Sequence, residues 1–205
     1  MAWLQATYPA VIDYLAQFKD RLMPKPKGHI GGWNGRKSGS YEWYEIQDSI
    51  DYYLEFEKPK IIYPDIALNG KFTLDLNGYY IINTMYMISG LSQEQNHYLL
   101  GILNSDIFTK LFTQISSTIR GGYLRWIAQY MEKMPIPTAT DDQRATLIGW
   151  VEKQLATHAE LAGLEATASD RRFELKEAVA KTDKQINTLV AGLYGIDEAD
   201  VALLG

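Results

Sequence analysis

Arg120 and Arg125 flank a Gly121-Gly122 pair and Tyr123 within the run Ser116–Pro137. Arginine presents a planar fork of donors that fits a phosphate or the O6/N7 edge of guanine. Adjacent glycines let the backbone take positive φ or approach a ligand closely, because no Cβ intervenes. Two forks, an open backbone and a stacking ring are the equipment of a nucleic-acid contact. The same motif also reads as a β-hairpin turn with two solvated arginines, and taken alone that reading ranks first.

A second basic segment, Lys25–Ser40, carries Lys25, Lys27, His29, Trp33, Asn34, Arg36 and Lys37 among five glycines. Loops of this length in compact domains are usually functional or disordered. As a binding loop, Asn34, Arg36 and Lys37 would reach base edges in the major groove, with Trp33 packing or stacking. As a plain surface loop it would do none of this. Lys58 and Lys60 would add charge toward a phosphate backbone, or simply solvate the entrance to a strand. The functional expectation is one cationic rim assembled from both segments.

The elements that must position these groups follow the chain. Residues 8–22 suggest a leading helix with Val11, Leu15, Phe18 and Leu22 on one face, Pro9 in its first turn, and an end at Pro24 and Pro26. Tyr41–Ile46 alternates like a half-buried strand, while Asp48–Phe56 fits either a helical turn or extended chain. Lys60–Ile66 reads as a strand whose Pro64 suggests an edge or a bulge. Phe72–Leu76 and Tyr79–Met87 flank Asn77-Gly78, the strongest short hairpin signal. Ser92–Asn104 and Ser105–Ile115 are helical, Tyr98–Leu103 is core, and the arginine run is a strand and turn.

After Pro137 the pattern becomes long and helical. Thr140 and Gln143 form a capping box before a face of Leu147, Trp150, Val151, Leu155 and His158. A second helix, Asp170–Tyr194, turns Phe173, Val179, Ile186, Val190 and Leu193 inward and stops at Gly195; Asp197 caps a short last helix through Leu203. The expected division is therefore 1–137 for recognition and 138–205 for a helical spacer. The fold class is α/β (α+β): a mixed β-sheet domain with flanking helices and a C-terminal helical hairpin.

Composition narrows the function classes. The chain has 205 residues, no cysteine and a net charge of -5. There is no disulfide framework or thiolate metal site, and the three histidines lack ligand spacing. No apolar run approaches a membrane span and no secretory pattern opens the chain, so the expectation is a cytoplasmic protein with no membrane partner. Residues 1–40 hold six Lys/Arg against two Asp, whereas 138–205 hold seven against twelve Asp/Glu. Positive charge is thus local, which is what a phosphate backbone responds to.

Catalytic signatures are missing. There is no Gly-x-Gly-x-x-Gly, no Gly-x-x-x-x-Gly-Lys and no nucleophile elbow. Pro64-Asp65 could open a nuclease metal site, but Asp75 is followed by Leu76-Asn77, without the required lysine. Glu174-Leu175-Lys176 has the spacing on a helix far downstream. Asp65 and Asp75 are better read as turn formers or as base-edge acceptors toward cytosine N4.

Several blocks then occur in a fixed order: Glu57–Ile66, Phe72–Asp75, Asn83-Thr84, Tyr98–Ser105, Ser116–Arg125 and Ile186–Ile196. Together, over nearly the whole chain, they resemble the C-terminal specificity domain of TaqI-like type IIG restriction–modification enzymes. The resemblance implies sequence-specific recognition of double-stranded DNA by a target-recognition domain. Such a domain positions an adenine-specific N6-methyltransferase, and often an endonuclease, located in the same or a partner chain. It implies no cofactor in this chain, with S-adenosylmethionine and Mg expected in catalytic regions elsewhere, and no catalysis by this chain alone. The methyltransferase's Asn-Pro-Pro-Tyr block is absent here, which suits a piece of a longer polypeptide or a stand-alone specificity subunit. Two other classes stay open: a helical protein-interaction module, or a metal-dependent hydrolase built on Asp65 and Asp75.

Overall fold

The computed structural model describes residues 1–164, 169–197 and 200. Two compact units divide the chain, Met1–Tyr53 and Leu54–Gly205. In the first, three short helices, α1 (Ala2–Thr7), α2 (Pro9–Ala16) and α3 (Lys19–Leu22), replace the single leading helix expected over 8–22. Pro9 lacks an N–H and takes the first position of α2, so the chain breaks at Tyr8. Ile12, rather than Val11, is the buried residue of α2.

The rest of the first unit is organised by one guanidinium. Arg36 donates to the carbonyls of Leu22 (2.7 Å), Glu45 (2.7 Å), Glu42 (3.0 Å) and Trp43 (3.1 Å), and lies 4.5 Å from the Tyr41 ring centroid. A backbone bridge joins Pro24 to Arg36 in parallel. The expected strand at Tyr41–Ile46 is a turn, because Glu45 closes it onto Glu42 and Arg36 takes the carbonyls a strand partner would need.

The second unit holds two three-stranded antiparallel sheets. The first has the order β3–β1–β4, from β1 (Lys60–Pro64), β3 (Thr73–Asp75) and β4 (Met85–Ile88); the second has the order β2–β6–β5, from β2 (Ile66–Ala67), β5 (Thr118–Ile119) and β6 (Tyr123–Arg125). β1 is central rather than an edge. Pro64 is tolerated because it ends the strand, and at Asp65 the chain crosses from one sheet to the other.

The Asn77-Gly78 hairpin does not form. β3 and β4 never pair with each other; both pair with β1, Lys60 facing Asp75 and Pro64 facing Met85. Asp75 captures the N–H groups of Asn77 (2.8 Å) and Tyr79 (2.9 Å), making an Asx turn in which Gly78 takes φ +72°. The apolar β1, with Ile61 and Tyr63 buried, then wins the ladder on both sides.

Helices α4 (Gln93–Leu103) and α5 (Asp106–Thr113) are those expected, capped by Ser92 and Ser105. After a short α6 (Ala128–Met131), helix α7 (Asp141–Gly163) starts on the Thr140/Gln143 capping box. Helix α8 (Ser169–Leu193) ends on Gly195 at φ +70°, where Ile196 N–H reaches Ala191 O, a Schellman closure. α7 and α8 pack on each other and on α4. Leu147, Val151, Ile186 and Val190 are buried as expected, but Phe173 is 63% exposed. The short helix expected from Asp197 through Leu203 lies largely outside the described residues; Asp197 does accept the Asp200 N–H at 2.9 Å.

The core of this unit joins Ile61, Tyr63, Phe72, Ile102, Phe108, Phe112, Leu124 and Trp126 to the buried residues of α7 and α8. Trp126 stacks on Phe112 at 4.1 Å and donates Nε1–H to Ala67 O at 3.1 Å, so its one polar atom is satisfied. This mixed α+β unit carries the arginine run on a sheet anchored directly in the core.

Candidate nucleic-acid interface

The arginine run forms the β5–β6 hairpin. Thr118 faces Leu124 and Ile119 faces Tyr123, leaving Arg120, Gly121 and Gly122 as the turn. Both glycines have positive φ, +90° and +78°, which explains the pair: a Cβ would be strained at either position. Gly122 N–H closes the turn onto Ile119 O at 3.1 Å. Arg120 is exposed at this tip and, among the described residues, has no hydrogen-bond or ion-pair partner.

Strand alternation fixes the rest. Leu124 points into the core, so Tyr123 and Arg125 share the outer face, with Ile119 beside Tyr123 and Ile66 beside Arg125 in register. Tyr123, Ile119 and Ile66 are all exposed. The outer face is thus an aromatic and aliphatic patch edged by the exposed Arg120 at the tip.

Arg125 is not free. Its Nε donates to Asp65 Oδ1 at 2.8 Å and its Nη2 to Asp65 Oδ2 at 3.1 Å. The hydrogen bonds to Asp65, and then the charge of Asp65, raise the arginine's pKa above its ordinary value. The pair remains accessible, with 36% of the Arg125 side chain and 21% of the Asp65 side chain exposed. The sequence offers Asp65 as a turn former, a base-edge acceptor or a metal-site carboxylate, and none of these readings includes a partner arginine. Its pairing depends on the β2–β6 register, which brings together residues 60 apart.

Lys60 departs from the expectation of an exposed phosphate contact. Its side chain is 0% exposed, and its Nζ donates to Phe56 O (2.5 Å) and to the buried carboxylate of Asp75. A lysine held there cannot meet a phosphate. Burial, the largest single influence, pushes the Asp75 carboxyl upward. The Lys60 hydrogen bond, the Asn77 and Tyr79 N–H groups and the Lys60 charge together outweigh it and hold Asp75 below the usual carboxylate range.

Lys58 is half-exposed and pairs with Glu55 at 2.5 Å. In the first unit, Lys37 is exposed and lies 3.6 Å from Asp48. Trp33 donates to Met23 O at 3.1 Å and touches His29 edge-on, so it packs the loop rather than standing clear of it. Arg36 spends its donors on four carbonyls, as described, and is a structural clamp. Asn34 is exposed. The glycine loop and the arginine hairpin belong to different compact units.

The carboxylates expected for a hydrolase do not converge. Asp75 faces the start of β1 and Asp65 follows its end, and each is engaged by a basic side chain. No cluster of three or more His, Asp or Glu with metal-binding geometry occurs among the described residues. No helix among them is long and apolar enough to cross a membrane.

The described residues therefore form an α+β arrangement with a sheet face that carries Arg120, Tyr123 and Arg125. The chain belongs to the TaqI-like C-terminal specificity domain family, whose pattern matches residues 26–136. It is similar to the type II methyltransferase M.PaeR7I of Pseudomonas aeruginosa, 27% identical over 199 residues, covering 97% of this chain and 29% of that protein. It is also similar to the type II methyltransferase M.XhoI of Xanthomonas vasicola, 25% identical over 132 residues, covering 64% of this chain and 22% of that protein. The chain thus spans less than a third of the length of either relative.

Proposed function

We propose that this chain is the DNA-reading module of a restriction–modification methyltransferase. It binds double-stranded DNA in a sequence-specific way and positions an adenine N6-methyltransferase, with or without an endonuclease, supplied by regions outside these residues. The chain itself neither methylates nor cuts. S-adenosylmethionine and Mg belong to those other regions, and the cytoplasm is where such a system works.

The observation that carries this reading is the β5–β6 turn: an exposed Arg120 beside two positive-φ glycines, on a sheet face bearing Tyr123 and Arg125. Phosphate contacts position a protein on the duplex and base contacts specify the sequence. The turn has a group for each task, and membership of a specificity-domain family supports the assignment.

Selection of binders from a randomised duplex pool, at two salt concentrations, tests it. The expected result is one enriched short sequence with affinity falling steeply as salt rises. Salt-sensitive binding without enrichment would reduce the chain to an electrostatic adhesive. Arg120→Ala, as a phosphate contact, should weaken all duplexes alike and lower the salt slope by about 1.

A further inference from the structure

The Arg125–Asp65 pair has a donor count that selects among DNA groups. A guanidinium carries five N–H bonds. Asp65 takes two of them side-on, through Nε and Nη2. What remains is one N–H on Nη2 and two on Nη1, and the outer N–H of each forms the end-on fork. The spacing of that fork suits two acceptors in one plane, such as O6 and N7 of guanine.

A phosphate would also accept an end-on fork, but the carboxylate distinguishes the two. A phosphate placed there would bring a second anion beside Asp65, against Coulomb repulsion. Guanine is neutral at that edge. Its cytosine partner offers an N4–H donor, and each Asp65 oxygen has spare acceptor capacity beyond its one bond to Arg125. Donor fork and acceptor carboxylate together match the major-groove edge of a G·C pair.

The backbone under both residues is fixed. Arg125 N–H is held by Ser117 O and Ser116 Oγ, both at 3.2 Å, between the buried Leu124 and Trp126. Asp65 N–H reaches Thr84 O at 2.9 Å and its carbonyl accepts Trp126 N–H at 2.7 Å. The guanidinium is therefore aimed before any ligand arrives, and preorganisation of this kind spares the ordering cost of binding.

We propose that Arg125 reads a guanine through its end-on fork and that Asp65 is the positioning residue that sets the fork and disfavours phosphate. This rests on the DNA-reading function above and commits it to one base pair of the recognised site.

The test uses the whole chain and the duplex it selects from the random pool. Each guanine is replaced singly by 7-deazaguanine, which removes only the N7 acceptor. One position should lose about tenfold or more in affinity, consistent with a good bidentate base contact. Arg125→Ala should be indifferent to that replacement and bind every base pair there about equally. Asp65→Asn should lose discrimination at that position while binding unrelated duplexes as well as or better than the parent, an outcome that simple misfolding would not give. Insensitivity of the parent chain to every 7-deazaguanine overturns the proposal without recourse to a variant. So does a uniform loss for Arg125→Ala across all duplexes, the mark of a phosphate contact. Failure of the parent to select any sequence overturns the DNA-reading function itself, and this inference with it.

Discussion

Lys60 and Asp75 face each other in register across β1 and β3, and their charged groups meet where neither side chain reaches solvent. Such a pair gains little over an apolar substitute, but losing one member strands the other charge in the interior. Lys60→Met should therefore destabilise the chain by about 3–5 kcal/mol. Asp75→Asn should do so similarly, and the double variant should cost less than the sum of the two. Urea unfolding followed by tryptophan fluorescence gives the comparison; a loss under about 1 kcal/mol for Lys60→Met would mean that water reaches the pair.

The same carboxylate sets an acid limit. Asp75 titrates below its ordinary value in the folded state, so the folded protein binds fewer protons there than the unfolded chain, whose Asp has a pKa of about 3.9. Its contribution is complete above that unfolded value and is lost as pH falls through the lower folded value. Melting temperature should fall below about pH 4. In Asp75→Asn the curve should be flatter over that range, although the variant is less stable at neutral pH.

Gly101 lies mid-helix in α4, where glycine ordinarily costs about 1 kcal/mol relative to alanine. A Cβ there would lie 2.9 Å from both Leu147 Cδ1 and Val151 Cγ2 of α7. Close approach of the two helices therefore outweighs helix propensity. Gly101→Ala should destabilise by about 1–3 kcal/mol through overpacking. The double variant with Leu147→Ala should cost less in thermal melts than the two single losses added together, because that change removes the Cδ1 that crowds the new methyl.

Arg36 clamps the first unit through four carbonyls and the Tyr41 ring. Lysine keeps the charge but cannot present planar donors in these directions. Arg36→Lys should open the segment from Met23 to Gln47, raising its amide exchange by about tenfold or more, equivalent to losing one or two charged hydrogen bonds. Protection in residues 54–164 should be unchanged. Loss of protection throughout the chain would show that the clamp supports more than its own unit.

Sequence alone determined the local features of this protein. The helices at 93–103, 106–113 and 141–163 follow from apolar periodicity and from the side chains of Ser92, Ser105 and Thr140 capping the N–H groups just after them. The Gly121-Gly122 turn follows from the absence of a Cβ, and the family from blocks kept in order. Tertiary structure decided every pairing between distant residues. Asn77-Gly78 has strong hairpin chemistry, yet β1, with Ile61 and Tyr63 buried in the core, took both neighbouring strands. Lys60 and Arg125 are equally basic as letters. Strand register carried one into the interior against Asp75 and set the other on an open face against Asp65. Register is fixed by burial summed over the whole core, and no stretch of sequence contains that sum.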